Sequence, residues 1–77
     1  LDLSMFIDEY KNSNESNYEE KDDEIIMKVK NDKENIYVKE KILYINKKTY
    51  KPVKLEIKDN KQKERIYILY NEVEINV

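Results

Sequence analysis

The chain contains no glycine, although its apolar and polar residues alternate in the manner of a hairpin-rich β-sheet. Glycine is the residue that most easily adopts the left-handed backbone conformations on which tight turns between strands depend. Every turn must therefore be built from residues that carry a Cβ atom, and asparagine and aspartate tolerate these conformations best. Asn46 stands in one predicted turn, and Asp59 and Asn60 stand in the next. We therefore expect a sheet whose turns depend on Asn and Asp.

One short helix is predicted at the start of the chain. Residues 2–11 carry their apolar side chains at the spacing of one helical face, namely Leu3, Phe6, Ile7 and Tyr10. The polar, acidic stretch that follows predicts a loop that enters a strand near Tyr18.

Strand periodicity dominates from there onward. Strands are predicted near Tyr18 and at residues 25–30, 36–45, 53–58, 64–70 and 73–77. The alternation changes phase inside the second of these ranges, and a bulge near Glu40 accounts for the change. The predicted fold class is α+β: a short N-terminal helix followed by an antiparallel meander of five or six strands. Residues 1–77 form either a single domain or the C-terminal half of a larger one, because so short a chain has little core to spare.

One face of the predicted sheet is apolar, and it is the main candidate for binding a ligand or a partner. Its residues are Met27, Val29, Leu43, Ile45, Val53, Leu55, Ile57, Ile66 and Ile68. A ten-residue helix is about 15 Å long, whereas five strands span roughly 20 Å, so the helix alone does not cover this face. The missing half of a larger domain, a second copy or a ligand would cover the remainder. The face is therefore either a binding groove or a packed core, and the pattern does not decide between them.

The first strand of the meander is predicted to have an unpaired edge. This strand is either "NYEEKDDE" (residues 17–24) or "EIIMKVK" (residues 24–30), and the second offers Ile25, Ile26 and Met27 for pairing with another chain. We expect the chain to pair through this edge with its own N-terminal half, a second copy or a partner protein, and not to exist as an isolated monomer.

Charge and composition exclude several classes of function. Residues 1–24 have a net charge of −7 and residues 25–77 a net charge of +5. With no histidine and no cysteine, the chain lacks the commonest metal ligand and general base, so we expect no enzyme, no cofactor and no metal site. The run "EEKDDE" at 19–24 is expected to be a solvated acidic loop, since it lacks the ligand spacing of a calcium loop. The overall charge of −2 argues against a nucleic-acid platform, in spite of seven tyrosines.

Residues 43–76, "LYINKKTYKPVKLEIKDNKQKERIYILYNEVEIN", resemble the C-terminal half of LolA-like lipoprotein-sorting proteins. The matching residues are Leu43, Tyr44, Ile45, Lys48, Thr49, Pro52, Val53, Lys54, Leu55, Glu56, Ile57 and Asp59. Asn46 stands where the family usually has Asp, and Gln62 stands where the second turn often has Gly. The preceding helix and strands also suit the order of elements in the family.

The resemblance implies an open half-barrel whose concave apolar face is covered by helices, with this chain as its second half. It also implies an extracytoplasmic protein, tethered to the membrane by a lipid on a segment that precedes residue 1. The richness in Ile, Lys, Asn and Tyr resembles low-GC, Gram-positive members, such as the clostridial germination lipoproteins of sporulating bacteria. That branch implies a non-catalytic protein that binds a cell-envelope partner and regulates a peptidoglycan amidase. The alternative is a carrier of lipid or lipoprotein acyl chains on the apolar face.

Overall fold

The structure, a computed structural model, describes residues 3–31, 37–61 and 63–69. It contains a helix, α1 (Leu3–Asn12), and five strands: β1 (Ser16–Lys21), β2 (Glu24–Lys30), β3 (Val38–Asn46), β4 (Pro52–Asp59) and β5 (Glu64–Ile68). Each strand pairs antiparallel with the next, in the order β1-β2-β3-β4-β5. The predicted α+β class, with a short helix before an antiparallel meander, is confirmed. The predicted last strand at 73–77 lies outside the described residues.

Helix α1 forms because its apolar residues share one face, which packs on the sheet. Leu3 and Phe6 are buried, and the Phe6 ring stacks on Tyr10 with 6.3 Å between the centroids. The helix ends at Asn12, whose side-chain amide donates a hydrogen bond to the Asp8 carbonyl oxygen at 2.9 Å. We call the side of the sheet that α1 covers the helix face and the opposite side the outer face.

The core lies between α1 and the middle of the sheet. Leu43 is completely buried and stands opposite Met27 on β2 and Leu55 on β4. The buried members of this core are Leu3, Phe6, Ile25, Val29, Leu43, Ile45 and Leu55, and Ile7, Tyr10, Met27, Ile57 and Leu69 pack against them. Among the described residues, the helix face is thus a packed core and not an open groove.

Two bulges adjust the pairing of β3 with β4. The register shifts between Val38 and Glu40, which makes Lys39 the extra residue of a bulge, and the bulge predicted near Glu40 is confirmed. A second shift, which the sequence did not indicate, lies between Tyr44 and Ile45 and leaves Val53 without a partner on β3. Val53 is consequently 38% exposed, although it has the same parity as the buried Leu55.

The residues with positive φ are not the ones that the sequence predicted for the turns. Positive φ occurs in the described residues at Asp22 (54°) and Tyr50 (57°), and not at Asn46, Asp59 or Asn60. Asp22 is the first central residue of the two-residue turn between β1 and β2, where both of the favoured hairpin turns, types I′ and II′, need positive φ.

Asn46 and Asp59 contribute through their side-chain oxygens instead. The Asn46 Oδ1 accepts hydrogen bonds from the amides of Lys48 and Thr49, and the Asp59 Oδ1 does the same for Lys61 and Lys63. These hydrogen bonds to side-chain oxygens stabilise both turns, and in the turn after β3 they act together with the positive φ of Tyr50. Gln62, which stands at the family's glycine position, is outside the described residues.

The placement of Ile66 and Ile68 on the same face as Leu55 is wrong. Residues directly opposite each other in an antiparallel pair share a face, and Ile66 and Ile68 stand opposite Glu56 and Lys54. They therefore lie on the outer face, 54% and 57% exposed. Tyr67 takes the place opposite Leu55. Alternation fixes which residues of a strand share a face but not which face is the core. Ile66 and Ile68 were predicted to face the core because isoleucine is more apolar than the tyrosine between them.

The assignment of Ile25, Ile26 and Met27 to an edge strand is also wrong. Strand β2 lies between β1 and β3, with Met27 paired to both Tyr18 and Leu43. The strands at the two edges of the described sheet are β1 and β5, and β1 lies within the first of the two stretches that the sequence offered. A polar stretch with one apolar residue joins the sheet here because the tight Asp22 turn folds it back onto β2.

Candidate functional site

The nine residues predicted to form a binding face are not all together in the structure. Six of them line the core on the helix face: Met27, Val29, Leu43, Ile45, Leu55 and Ile57. Val53 lies at a bulge on the rim, and Ile66 and Ile68 lie on the outer face. The surface available to another molecule is therefore elsewhere, and the edge of the sheet at β1 is the main candidate.

All six residues of β1 are exposed, and the pairing pattern shows which of its backbone groups are available. The Lys30 amide donates to the Glu15 carbonyl oxygen at 3.2 Å, which makes Glu15 and Lys30 a hydrogen-bonded pair. In antiparallel pairing such pairs alternate, so Ser16, Tyr18 and Glu20 direct their N–H and C=O groups away from β2. No strand in the described part of the chain lies on that side of β1.

Two side-chain contacts hold this edge in place on the helix face. The Tyr18 hydroxyl donates to Glu20 Oε1 at 2.8 Å, and the Lys47 ammonium contacts Glu20 Oε2 at 3.2 Å. The hydrogen bond from Tyr18 and then the contacts with Lys47 lower the pKa of the Glu20 carboxyl. The same hydrogen bond to Glu20 is the main cause of the raised pKa of the Tyr18 phenol. At neutral pH the Glu20 carboxylate therefore links β1 to the turn that follows β3.

The edge is strongly acidic. Residues 15–24 contain six carboxylates and one lysine, a net charge of −5. Lys47 balances Glu20, but Glu19 and Asp22 have no ion-pair partner among the described residues. A segment laid along β1 would therefore meet open backbone groups beside a concentration of negative charge.

The outer face, by contrast, has neutralising contacts across its strands. Glu40 lies 4.0 Å from the Lys28 ammonium and 3.8 Å from that of Lys58. The Lys54 ammonium lies 3.3 Å from a Glu56 carboxylate oxygen and 4.2 Å from the centre of the Tyr44 ring. Burial, followed by the nearby Glu56, raises the pKa of Tyr44. Lys28, Lys54 and Lys58 thus each lie near a glutamate, and they form no basic patch on the described part of this face.

Two depressions lie at the end of the sheet where β3 begins, and most of the residues that line them have charged or amide side chains. The larger, about 660 Å³, lies between the end of α1 and strands β2 and β3, beside an ion pair of 2.6 Å between Lys41 and Glu9. Most of its lining is charged or amide-bearing: Glu9, Asn12, Asn14, Glu15, Lys30, Asn31, Lys39, Glu40 and Lys41. The smaller, about 540 Å³, is lined by Lys30, Lys39, Glu40, Lys58, Asp59, Asn60 and Glu64.

Asp59 is a buried carboxylate, only 5% exposed, whose hydrogen bonds the sequence did not reveal. Besides the two turn amides on Oδ1, its Oδ2 accepts a hydrogen bond from the Tyr37 hydroxyl at 2.9 Å. Burial alone would raise the pKa of Asp59, but the amides of Lys63 and Lys61 and the Tyr37 hydroxyl outweigh it, so the pKa is lowered. These contacts join the turn after β4 to the start of β3, which is a structural role.

Comparison of the chain with protein-family models, with curated proteins and with solved structures found no match. The resemblance to LolA-like proteins therefore remains a prediction that depends on residues 43–76. In the described ranges, no group of three acidic, histidine or cysteine side chains is placed to hold a metal ion. The only helix that the structure describes, α1, is too short and too polar to cross a membrane.

Proposed function

We propose that this chain is a non-catalytic protein-binding module that takes up an extended segment of a partner along β1. The observation that carries the proposal is the outward row of backbone groups at Ser16, Tyr18 and Glu20, which has no neighbouring strand among the described residues. An unpaired strand is a template for another strand, and addition of a strand to a sheet edge is a recurrent mode of peptide recognition.

The cellular setting of the proposal depends on the sequence resemblance alone. On that basis the chain is the C-terminal half of an extracytoplasmic lipoprotein with a LolA-like open half-barrel. Its partner is then a cell-envelope protein, and a peptidoglycan amidase of spore germination is the partner that the clostridial branch suggests. A robust hydrolase activity of this protein that a single side-chain substitution abolishes would overturn the non-catalytic part of the proposal.

Carriage of acyl chains has less support from the described residues. A carrier needs an open apolar cavity, whereas Leu3 and Phe6 of α1 fill the helix face over Leu43. The two depressions have mostly charged and polar linings. Mass spectrometry of an organic extract of the purified protein separates the two functions, because a carrier should copurify with a stoichiometric lipid and the proposed module should not.

Site-specific photo-crosslinking tests the proposal. The photoreactive residue p-benzoylphenylalanine would replace Tyr18, which is 54% exposed on β1, or as a matched control Met5, which is 61% exposed on α1. The full protein carrying either residue would be irradiated in envelope extracts of its native cells. We expect a discrete protein adduct from position 18 and none from position 5. Equal labelling from both positions, or no adduct from position 18, would overturn binding along β1.

A further inference from the structure

The charge on β1 restricts which strand can lie beside it. Two copies of this edge would bring together two segments with a net charge of −5 each, over residues 15–24. Like charges on neighbouring strands destabilise a sheet, and charged side chains are a common device against pairing of identical edges. A second copy is therefore a poor occupant, and a strand of opposite charge is a good one.

The two faces of β1 favour different side chains in a strand that pairs with it. On the outer face the carboxylate of Glu19 has no ion-pair partner in the described part of the chain, and cross-strand neighbours lie close enough for an opposite charge to contact it. On the helix face Tyr18 is more than half exposed, and its hydroxyl is held by Glu20, so its ring offers a fixed apolar surface. Because Tyr18 and Glu20 already hold each other, this edge loses less conformational freedom when a strand is added to it.

We propose that the occupant of the β1 edge is an extended basic segment of a partner protein. Its Lys or Arg residues lie on the outer face next to Glu19, and an apolar or aromatic residue lies on the helix face next to Tyr18. Its backbone pairs with Ser16, Tyr18 and Glu20. The inference rests on the proposed function, since it gives the chemistry of the partner for the same edge.

The test uses three nine-residue peptides with blocked ends and the full protein. The first alternates Lys with Val and Thr, the second has Glu in place of Lys, and the third is the basic peptide with N-methyl groups on alternate residues. N-methylation keeps the charge but removes the amide donors that one edge of the peptide offers to a neighbouring strand. We expect the first peptide to bind, and the other two to bind at least tenfold more weakly or not at all.

Amide hydrogen exchange of the protein shows whether the peptide pairs with β1, and the β1 amides that already pair with β2 serve as the control. The basic peptide should slow exchange at the amides of Ser16, Tyr18 and Glu20, which point outward. It should leave Asn17 and Glu19 unchanged, because these two amides already pair with β2. Slowed exchange at both sets, or at neither, would show that the peptide does not pair with β1.

A pair of charge reversals tests the electrostatic part. Glu19→Lys should weaken binding of the basic peptide about fivefold to tenfold, since it replaces an attraction with a repulsion. Glu64→Lys, the same change at an exposed position on β5, should leave the affinity within about twofold. Equal effects of the two changes would mean that only the overall charge matters and would overturn the inference. If the crosslink at position 18 forms while the basic peptide does not bind, the basic partner is wrong and the edge function stands.

Discussion

Asp59 brings three hydrogen-bond donors to one buried carboxylate at the end of β4. The Lys61 and Lys63 amides and the Tyr37 hydroxyl all lie 2.8 to 2.9 Å from its oxygens. Hydrogen bonds to an ionised acceptor are stronger than those to a neutral one, and here they keep the carboxyl ionised in spite of burial. A group with a lowered folded pKa contributes stability above its unfolded pKa, near 4, and this contribution is lost as the pH falls through the folded value.

We therefore expect Asp59→Asn to lower the Tm at pH 7 and to have a smaller effect as the pH falls below about 4. Thermal unfolding of both proteins followed by circular dichroism between pH 2 and 7 measures the difference. Asn60→Ala, an exposed change in the same turn, is the control and should leave the Tm almost unchanged at every pH. A difference between Asp59→Asn and the parent protein that is constant with pH would contradict this account.

Tyr50 holds a left-handed conformation that a side chain makes unfavourable. Its φ is 57°, and its side chain is 70% exposed, so little packing opposes its removal. Tyr50→Gly should raise the free energy of unfolding by about 1 kcal/mol, because glycine adopts this region without the Cβ clash. Urea titration measures the change. Thr49→Gly, one position earlier without positive φ, should instead be neutral or destabilising, and the same stabilisation at both positions would refute the argument.

At the scale of elements, the sequence predicted where the strands lie along the chain better than it predicted which of their residues are buried. Residues 53–58 alternate clearly, and β4 occupies that stretch. The bulge at Lys39 was predictable because Val38 has the opposite parity to Leu43 and Ile45, and one extra residue lets all three lie on the same face. Ile42, which precedes Leu43 directly, is buried on the outer face.

The remaining features of the sheet depend on information that strand periodicity does not contain. The orientation of β5 follows from its register with β4, which places Tyr67 opposite Leu55. The edge position of β1 follows from the turn at Asp22, and its outward amides follow from the pairing of Glu15 with Lys30. A polar strand of this kind has almost no hydrophobic signal, so the candidate site was predicted only as a stretch of sequence and not by its residues.

The two faces of the sheet should differ sharply in their sensitivity to truncation. Leu43→Ala removes a fully buried side chain and should cost about 2 to 5 kcal/mol, whereas Ile66→Ala on the outer face should cost less than about 1 kcal/mol. Urea unfolding measures both values. Because the loss of so large a buried side chain can unfold a small domain, Leu43→Val gives a milder comparison at the same site. A loss at Ile66 equal to that at Leu43 would show that Ile66 is buried in solution.

For the whole molecule, the acidic edge changes what we expect of self-association. The prediction from sequence was pairing through an edge with the N-terminal half, a second copy or a partner protein. The charge of residues 15–24 disfavours the second copy and leaves the other two. Met27, which was predicted to pair at the edge, packs against the core on an interior strand.

We expect the chain to show no pairing through β1 with a second copy at neutral pH and low salt. Replacement of Glu19 and Glu20 by Thr should promote dimers at micromolar concentration, since it removes two charges from the open edge and raises β-propensity. Sedimentation velocity of both proteins measures this. Dimers of the parent protein that Ser16→Pro disperses would show that copies pair through β1 in spite of its charge.

The strictly sequential order of the strands also bears on how the chain folds. Each strand pairs with the one made directly before it, so every pairing closes a short loop, and short loops favour rapid folding. As the polypeptide is synthesised from its N-terminus, β2 joins β1, β3 joins β2, and the growing sheet is extended at one side only. Strand β1 is the first of the five to be made, and none of the four made after it lies along its outer side. The side of β1 that none of the described strands covers is therefore present from the first hairpin onward, when a partner segment has its earliest opportunity to join the sheet.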